Sequence, residues 1–185
     1  DRFPLAQSSP QHHAKIADAY QREGKLESAA RERRQLAERY GPGSSWAKHN
    51  AADQKAIQRA KRMAEESLRF VATFRHKQAQ EKKSRKAYQT SAQAYRHYLK
   101  RFDDSPNAPQ IHFGLGEVLY RLKNYDRAAA HYSTAAKRLK KPQKKIEAAY
   151  AAVLAYDHLR QKKLEKGEPP TTAQELVSGE SGFVK

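Results

Sequence analysis

The sequence predicts an all-α protein, a short solenoid of helical hairpins with one extra-long helix. Three observations carry this. Valine and isoleucine are scarce and no alternating apolar run occurs, so strands have no support. Apolar side chains recur instead at spacings of three and four over most of the chain. Much of the 38 % hydrophobic content is alanine, which suits thin two-helix layers buried against their neighbours better than one thick core.

A first helix runs from Pro10 or Gln11 to Glu23, with proline in the first turn, where its missing N–H costs nothing. Gly24 breaks it, and a second helix covers about Lys25 to Tyr40. Ile16, Ala17, Tyr20, Leu26, Ala29 and Leu36 are the positions expected to face one another across this pair. Gly41-Pro42-Gly43 is a firm stop, and Ser44 or Ser45 can cap the next helix. From Trp46 there is no glycine or proline until Pro106. The run Glu81–Lys86 has no apolar side chain, so the expectation is one long helix over 46–82 and another over 86–102. In the latter Tyr88, Ala92, Tyr95, Leu99 and Phe102 form a helical face.

Asp103-Asp104-Ser105-Pro106 reads as a turn with a built-in helix start. A helix over 107–122, a tight turn at Lys123-Asn124 and a partner helix from Asp126 to Leu139 come next. Lys140-Lys141-Pro142 forms the next corner, and a last helix over 143–164 carries Ile146, Ala149, Tyr150, Val153, Leu154 and Leu159. Gly167-Glu168-Pro169-Pro170 ends it. The domain organisation is therefore a lead-in (1–9), a helical repeat domain (10–166) and a flexible tail (167–185). A start at Asp1 without methionine reads as a processed form or an excised piece of a longer chain.

One stretch, residues 112–135, carries a specific repeat signal. Leu115-Gly116 in one helix is followed by Ala128, Tyr132 and Ala135 in the next. Small residues let two helices approach closely, and an aromatic ring fills the space beside that contact. Weaker copies run through Ala17, Tyr20, Gly24 and Ala29, with Arg33 in place of the aromatic, and through Ala79, Tyr88, Ser91, Tyr95 and Tyr98. Ala79 to Gly116 is 37 residues, close to a period of about 34. These residues resemble the tetratricopeptide-repeat family over roughly 10–164, most strongly over 86–136. The wording of 95–132 is similar to the divergent repeats of bacterial cell-envelope proteins, such as outer-membrane assembly lipoproteins.

The resemblance implies a tetratricopeptide-like superhelix that binds other proteins, with a peptide, partner helix or subunit in a groove lined by the first helix of each pair. The groove positions would be Arg22, His76, Gln80, Lys83, Phe113, Glu117, Tyr120, Arg121 and Lys144. Asp18, Gln80 and Glu117 stand where chaperone-binding members carry asparagine, so their carboxylate clamp is not expected here. The similarity also implies a bacterial periplasm or cell-envelope setting and a multi-component assembly.

Net charge is +17, divided as +4, +7 and +6 among residues 1–60, 61–110 and 111–185, so no single basic arm supplies it. Spread charge of this kind suits an acidic protein partner; the less favoured alternative is a basic helical module that binds nucleic acid or another polyanion. The densest patch is Lys137, Arg138, Lys140, Lys141, Lys144 and Lys145. The tyrosines fall at repeat-core positions, which disfavours a base-stacking platform. No catalytic set is expected. There is no cysteine, the eight histidines lack metal-ligand spacing, and Gly114-Leu115-Gly116 sits inside a repeat helix, not a phosphate loop. No cofactor or metal is therefore expected, and no apolar run approaches the ~20 residues that span a bilayer.

Overall fold

The computed structural model describes residues 5–169. Among these residues every regular element is an α-helix: α1 (Ser9–Arg22), α2 (Leu26–Tyr40), α3 (Ser45–His49), α4 (Gln54–Lys82), α5 (Arg85–Phe102), α6 (Ala108–Arg121), α7 (Tyr125–Arg138) and α8 (Pro142–Glu165). Of the expected tail, 167–185, all but residues 167–169 lies outside the described residues. The chain divides into two compact units, Asp1–Ser105 and Pro106–Lys185. Within each, helices pack on their sequence neighbours as successive antiparallel layers.

In the first unit α1 and α2 form a hairpin, α2 packs on α4, and α4 forms a second hairpin with α5. The α1–α2 turn closes because Gly24 takes the left-handed conformation, φ +72°, that a side chain resists. Ala17, Ala29 and Leu36 are buried at this interface as expected. Ile16 (48 % exposed) and Leu26 (39 %) are not, because each stands at the solvent edge of its helix and alanine makes the close contact.

The single helix expected over 46–82 is two. A five-residue α3 ends at Asn50, and α4 begins after Asp53. Side-chain capping makes the break with no glycine or proline. Ser44 Oγ accepts from Ala47 N (3.1 Å), and Asp53 Oδ1 accepts from Ala56 N (2.9 Å), each satisfying a first-turn donor. Asn50 Nδ2 donates both to Trp46 O and to Leu5 O, at 3.0 Å each. Trp46 Nε1 donates to Ala6 O at 2.8 Å, so α3 ties the lead-in to the core. That core gathers Leu36, Tyr40, Trp46, Ala56 and Ala60.

Arg33, which occupies the place of the repeat aromatic, lies over the Phe70 ring of α4 at 4.7 Å and donates to Asp18 (2.7 Å) and Gln21 (2.9 Å). A guanidinium stacked on a ring from the neighbouring helix fills the layer that a tyrosine would fill. The α4–α5 break falls where expected: Lys83 takes φ 49° and Ser84 Oγ accepts from Ala87 N. The buried face of α5 is Ser91, Ala92, Tyr95, Tyr98 and Phe102, while Tyr88 and Leu99 are half-buried. Tyr98 is drawn fully inside because its hydroxyl donates to the Glu65 carboxylate, which also accepts from Ser105 Oγ at 3.2 Å.

Burial holds His13, His76 and His97 below the ordinary imidazole range; at His13 it outweighs the Glu32 carboxylate 3.1 Å from Nε2. The neutral ring of His13 can still donate its N–H to Glu32. Depressed folded pKa values mean that below about pH 6.5 the unfolded chain binds protons the folded chain refuses, so stability is lost as pH falls through that value. The thermal midpoint read by Trp46 fluorescence is accordingly expected to drop between pH 7.5 and 5.5, and His76→Leu to flatten the slope. A level profile in the parent protein would refute this.

The second unit is the hairpin α6–α7 with α8 against α7. Lys123 makes the expected tight turn at φ 60°. Ile111, Leu115, Val118 and Leu119 of α6 and Ala128, Ala129, Tyr132 and Ala135 of α7 are buried between them. On α8 the packing face is Ala148, Ala152 and Ala155.

Candidate partner-binding site

Of the groove positions in the first unit, Arg22 is exposed in the last turn of α1. His76 is buried: its ring stands edge-on to Tyr95, with Nδ1 2.9 Å from the phenol oxygen. Gln80, one turn further on, is exposed with Nε2 3.4 Å from His76 Nε2, and Lys83 is exposed at the α4 C-cap.

The second unit brings its positions together around Tyr132. The Phe113 ring lies 5.4 Å from Tyr132 at 60°. Glu117 and Arg121 stand one turn apart on α6, and Lys144 enters from α8. Burial raises the Glu117 pKa, against the pull of the Arg121 and Lys144 charges. Burial, with Glu117 and Tyr120 nearby, likewise pushes the Tyr132 phenol up. Tyr120 joins Tyr125 (5.3 Å) and His158 (5.4 Å) edge-on, and Tyr125 stacks on His158 at 5.0 Å. Lys144 Nζ meets Glu147 at 2.7 Å.

The basic patch is split by its own chemistry. Lys137, Lys140, Lys141, Lys144 and Lys145 are exposed. Arg138 is half-buried, its Nη1 3.4 Å from His112 Nε2, beside the His112–His131 pair whose Nδ1 atoms stand 2.8 Å apart.

A feature missed in the sequence lies on α8. Ile146 (63 % exposed), Tyr150 (64 %) and Val153 (62 %) form an apolar stripe that no neighbouring helix covers among the described residues. Its signal was present: two stripes, each spaced four and three and offset by two residues, run along opposite sides of the helix, one of alanines and one of large residues. Positions two apart on an α-helix differ by about 200°, so Ala148 and Ile146 point to opposite sides, and the alanines take the close contact with α7. Among the described residues, no group of three histidine, aspartate or glutamate side chains could hold a metal ion, and no helix is long and apolar enough to cross a membrane.

Helices packed on their neighbours within each unit, with alanine at the close contacts, define a helical-hairpin repeat architecture. A tetratricopeptide-repeat family model matches residues 77–142, a stretch that takes in α5, α6 and α7. Repeats of this kind mediate protein–protein interaction. No curated protein and no solved structure matches the chain.

Proposed function

We propose that this chain is a protein-interaction scaffold whose α8 face receives an amphipathic helix of a partner protein within a multi-component assembly. The observation that carries the reading is the exposed stripe of Ile146, Tyr150 and Val153. Anchors at such spacing are what a helix laid along another helix inserts between. The largest contiguous apolar patch on a protein surface is often a functional one. Lys145, Arg160 and Lys162 lie before and after the stripe on the same helix, so the complementary helix is apolar along its centre and acidic toward its ends. A bacterial envelope setting is proposed on the similarity of residues 95–132 alone.

The test is retention of proteins on the immobilised chain, compared with an Ile146→Glu/Val153→Glu variant whose helical content is unchanged. A partner held by the parent through a wash at about 0.5 M salt and lost by the variant supports the reading, because apolar docking survives screening. Binding only of polyanions that weaken steeply with salt, and that Lys140→Glu/Lys141→Glu abolishes, would instead favour the nucleic-acid alternative. Self-association of the parent that the α8 variant removes would assign the stripe to a second copy.

A further inference from the structure

We infer that the first unit carries a separate docking cleft, between α2 and α5 with α4 as its floor, for an acidic segment of a partner polypeptide. The cleft encloses about 440 Å³. It is built from the second helices of two hairpins, and none of the groove positions Arg22, His76, Gln80 or Lys83 lines it. It is independent of the α8 stripe and goes beyond that reading.

Its chemistry is divided by depth. Leu68 and Val71 of α4, with Ala30 of α2 and Ala94 of α5, form an apolar base. Arg31 and Arg34 of α2 and Arg75 of α4 are the cations, against one carboxylate, Glu27. Arg75 Nη1 donates to Glu27 Oε1 (2.7 Å) and to Gln78 Oε1 (2.8 Å), and Gln78 Nε2 reaches the same carboxylate oxygen at 2.9 Å. Glu27 is thereby committed within the protein, its pKa lowered chiefly by the Arg75 hydrogen bond, and one end of the cleft is fixed.

Arg31 and Arg34 are differently placed. Their side chains are each 57 % exposed, and their carboxylate neighbours Glu32 and Glu38 stand 3.9 and 3.8 Å away, beyond hydrogen-bond reach. Two guanidinium forks one helical turn apart, above an apolar base, match carboxylates spaced along a chain whose intervening side chains are aliphatic. His97, kept neutral by burial and by the neighbouring Arg101, supplies ring hydrogen bonding, so the cleft's charge comes from arginine.

An acidic polypeptide fits this lining better than a nucleic acid does. No phenyl, phenol or indole ring lines the cleft for a base to stack on, and the apolar base has no counterpart on a phosphate backbone. Pocket shape of this kind, apolar within and polar at the rim, is what side-chain recognition uses.

The experiment titrates the full chain with a fluorescein-labelled 12-residue peptide of alternating glutamate and leucine, at about 150 mM salt to suppress diffuse attraction. A glutamine-for-glutamate peptide and a 12-nucleotide oligothymidylate are the comparisons. Amide chemical-shift changes are expected to gather at Arg31, Arg34, Val71 and His97. Arg31→Glu/Arg34→Glu is expected to weaken the glutamate peptide about tenfold or more, and Lys140→Glu/Lys141→Glu less than about twofold. Both pairs are exposed, so folding is not at stake. Three results overturn the proposal: no binding of the glutamate peptide, shifts that map elsewhere or losses equal in the two variants, and oligothymidylate or the glutamine peptide taking the same residues as tightly. None of them touches the α8 reading, whose partner and variant are different.

Discussion

Replacing Trp46 by alanine is expected to cost the first unit about 3–5 kcal/mol, the range for removing a large buried aromatic side chain. The indole is 2 % exposed and stands edge-on to Tyr40 at 6.0 Å, and Tyr40 stands edge-on to His13 at 5.7 Å. These three rings join α1, α2 and α3, and the cavity left by alanine would open where Leu36, Ala56 and Ala60 converge. The Nε1 bond to Ala6 O is a lesser loss, near 1 kcal/mol, because the freed carbonyl can turn to water. Trp46→Phe separates the two effects, since it keeps most of the packing and removes the bond. As domains of this size hold about 5–15 kcal/mol in total, the alanine variant should begin to melt close to ambient temperature. Circular dichroism is the measurement, because Trp46 is the only tryptophan and fluorescence is lost with it. A midpoint within a degree or two of the parent would refute this account of the core.

The same residue marks where the sequence misled. Helix starts and stops at glycine and proline were legible throughout: Gly24, Gly41, Pro142 and the Lys123 turn all fall as read. The α3–α4 break was not, because Asn50 and Asp53 end and start helices with their side chains inside a run that contains no breaker residue. The α5 face was read in two parts. A spacing of four and three from Tyr88 finds Ala92, Tyr95 and Phe102, and the repeat alignment adds Ser91 and Tyr98; what it could not give is Glu65, the partner 33 residues away that accepts from the Tyr98 hydroxyl.

Surface function was less legible than fold for a related reason. Periodicity reports that a helix has an apolar side, not whether a neighbour covers it. On α8 the face expected from Ile146, Ala149, Tyr150 and Val153 stands exposed, and Ala148, Ala152 and Ala155 pack instead. The cleft of the first unit was invisible for the opposite cause. Arg31, Arg34 and Arg75 are ordinary solvated residues by sequence, and only the packing of α2 and α5 on α4 gathers them.

Gly116 shows how a helix can favour the residue that lowers its own propensity. Alanine there would improve the isolated helix by about 1 kcal/mol. A Cβ, however, would lie 2.7 Å from Cδ1 and 2.8 Å from Cε1 of Tyr132, a ring only 5 % exposed and packed against Phe113. The obstruction is the rigid body of a buried ring, which cannot swing aside as a lysine tip would. Overpacking of this kind costs about 1–3 kcal/mol and outweighs the propensity gain, so Gly116→Ala is expected to destabilise the second unit by roughly 1–2 kcal/mol. Gly116→Leu should prevent the α6–α7 layer from forming. The mechanism predicts a specific rescue: Tyr132→Leu alone opens a cavity and destabilises, but in the Gly116→Ala background it also makes room for the methyl. The double variant should therefore be at least about 1 kcal/mol more stable than the sum of the single losses. Hydrogen exchange of the α6 and α7 amides measures this locally. Additive losses would mean that Gly116 is there for some reason other than the ring beside it.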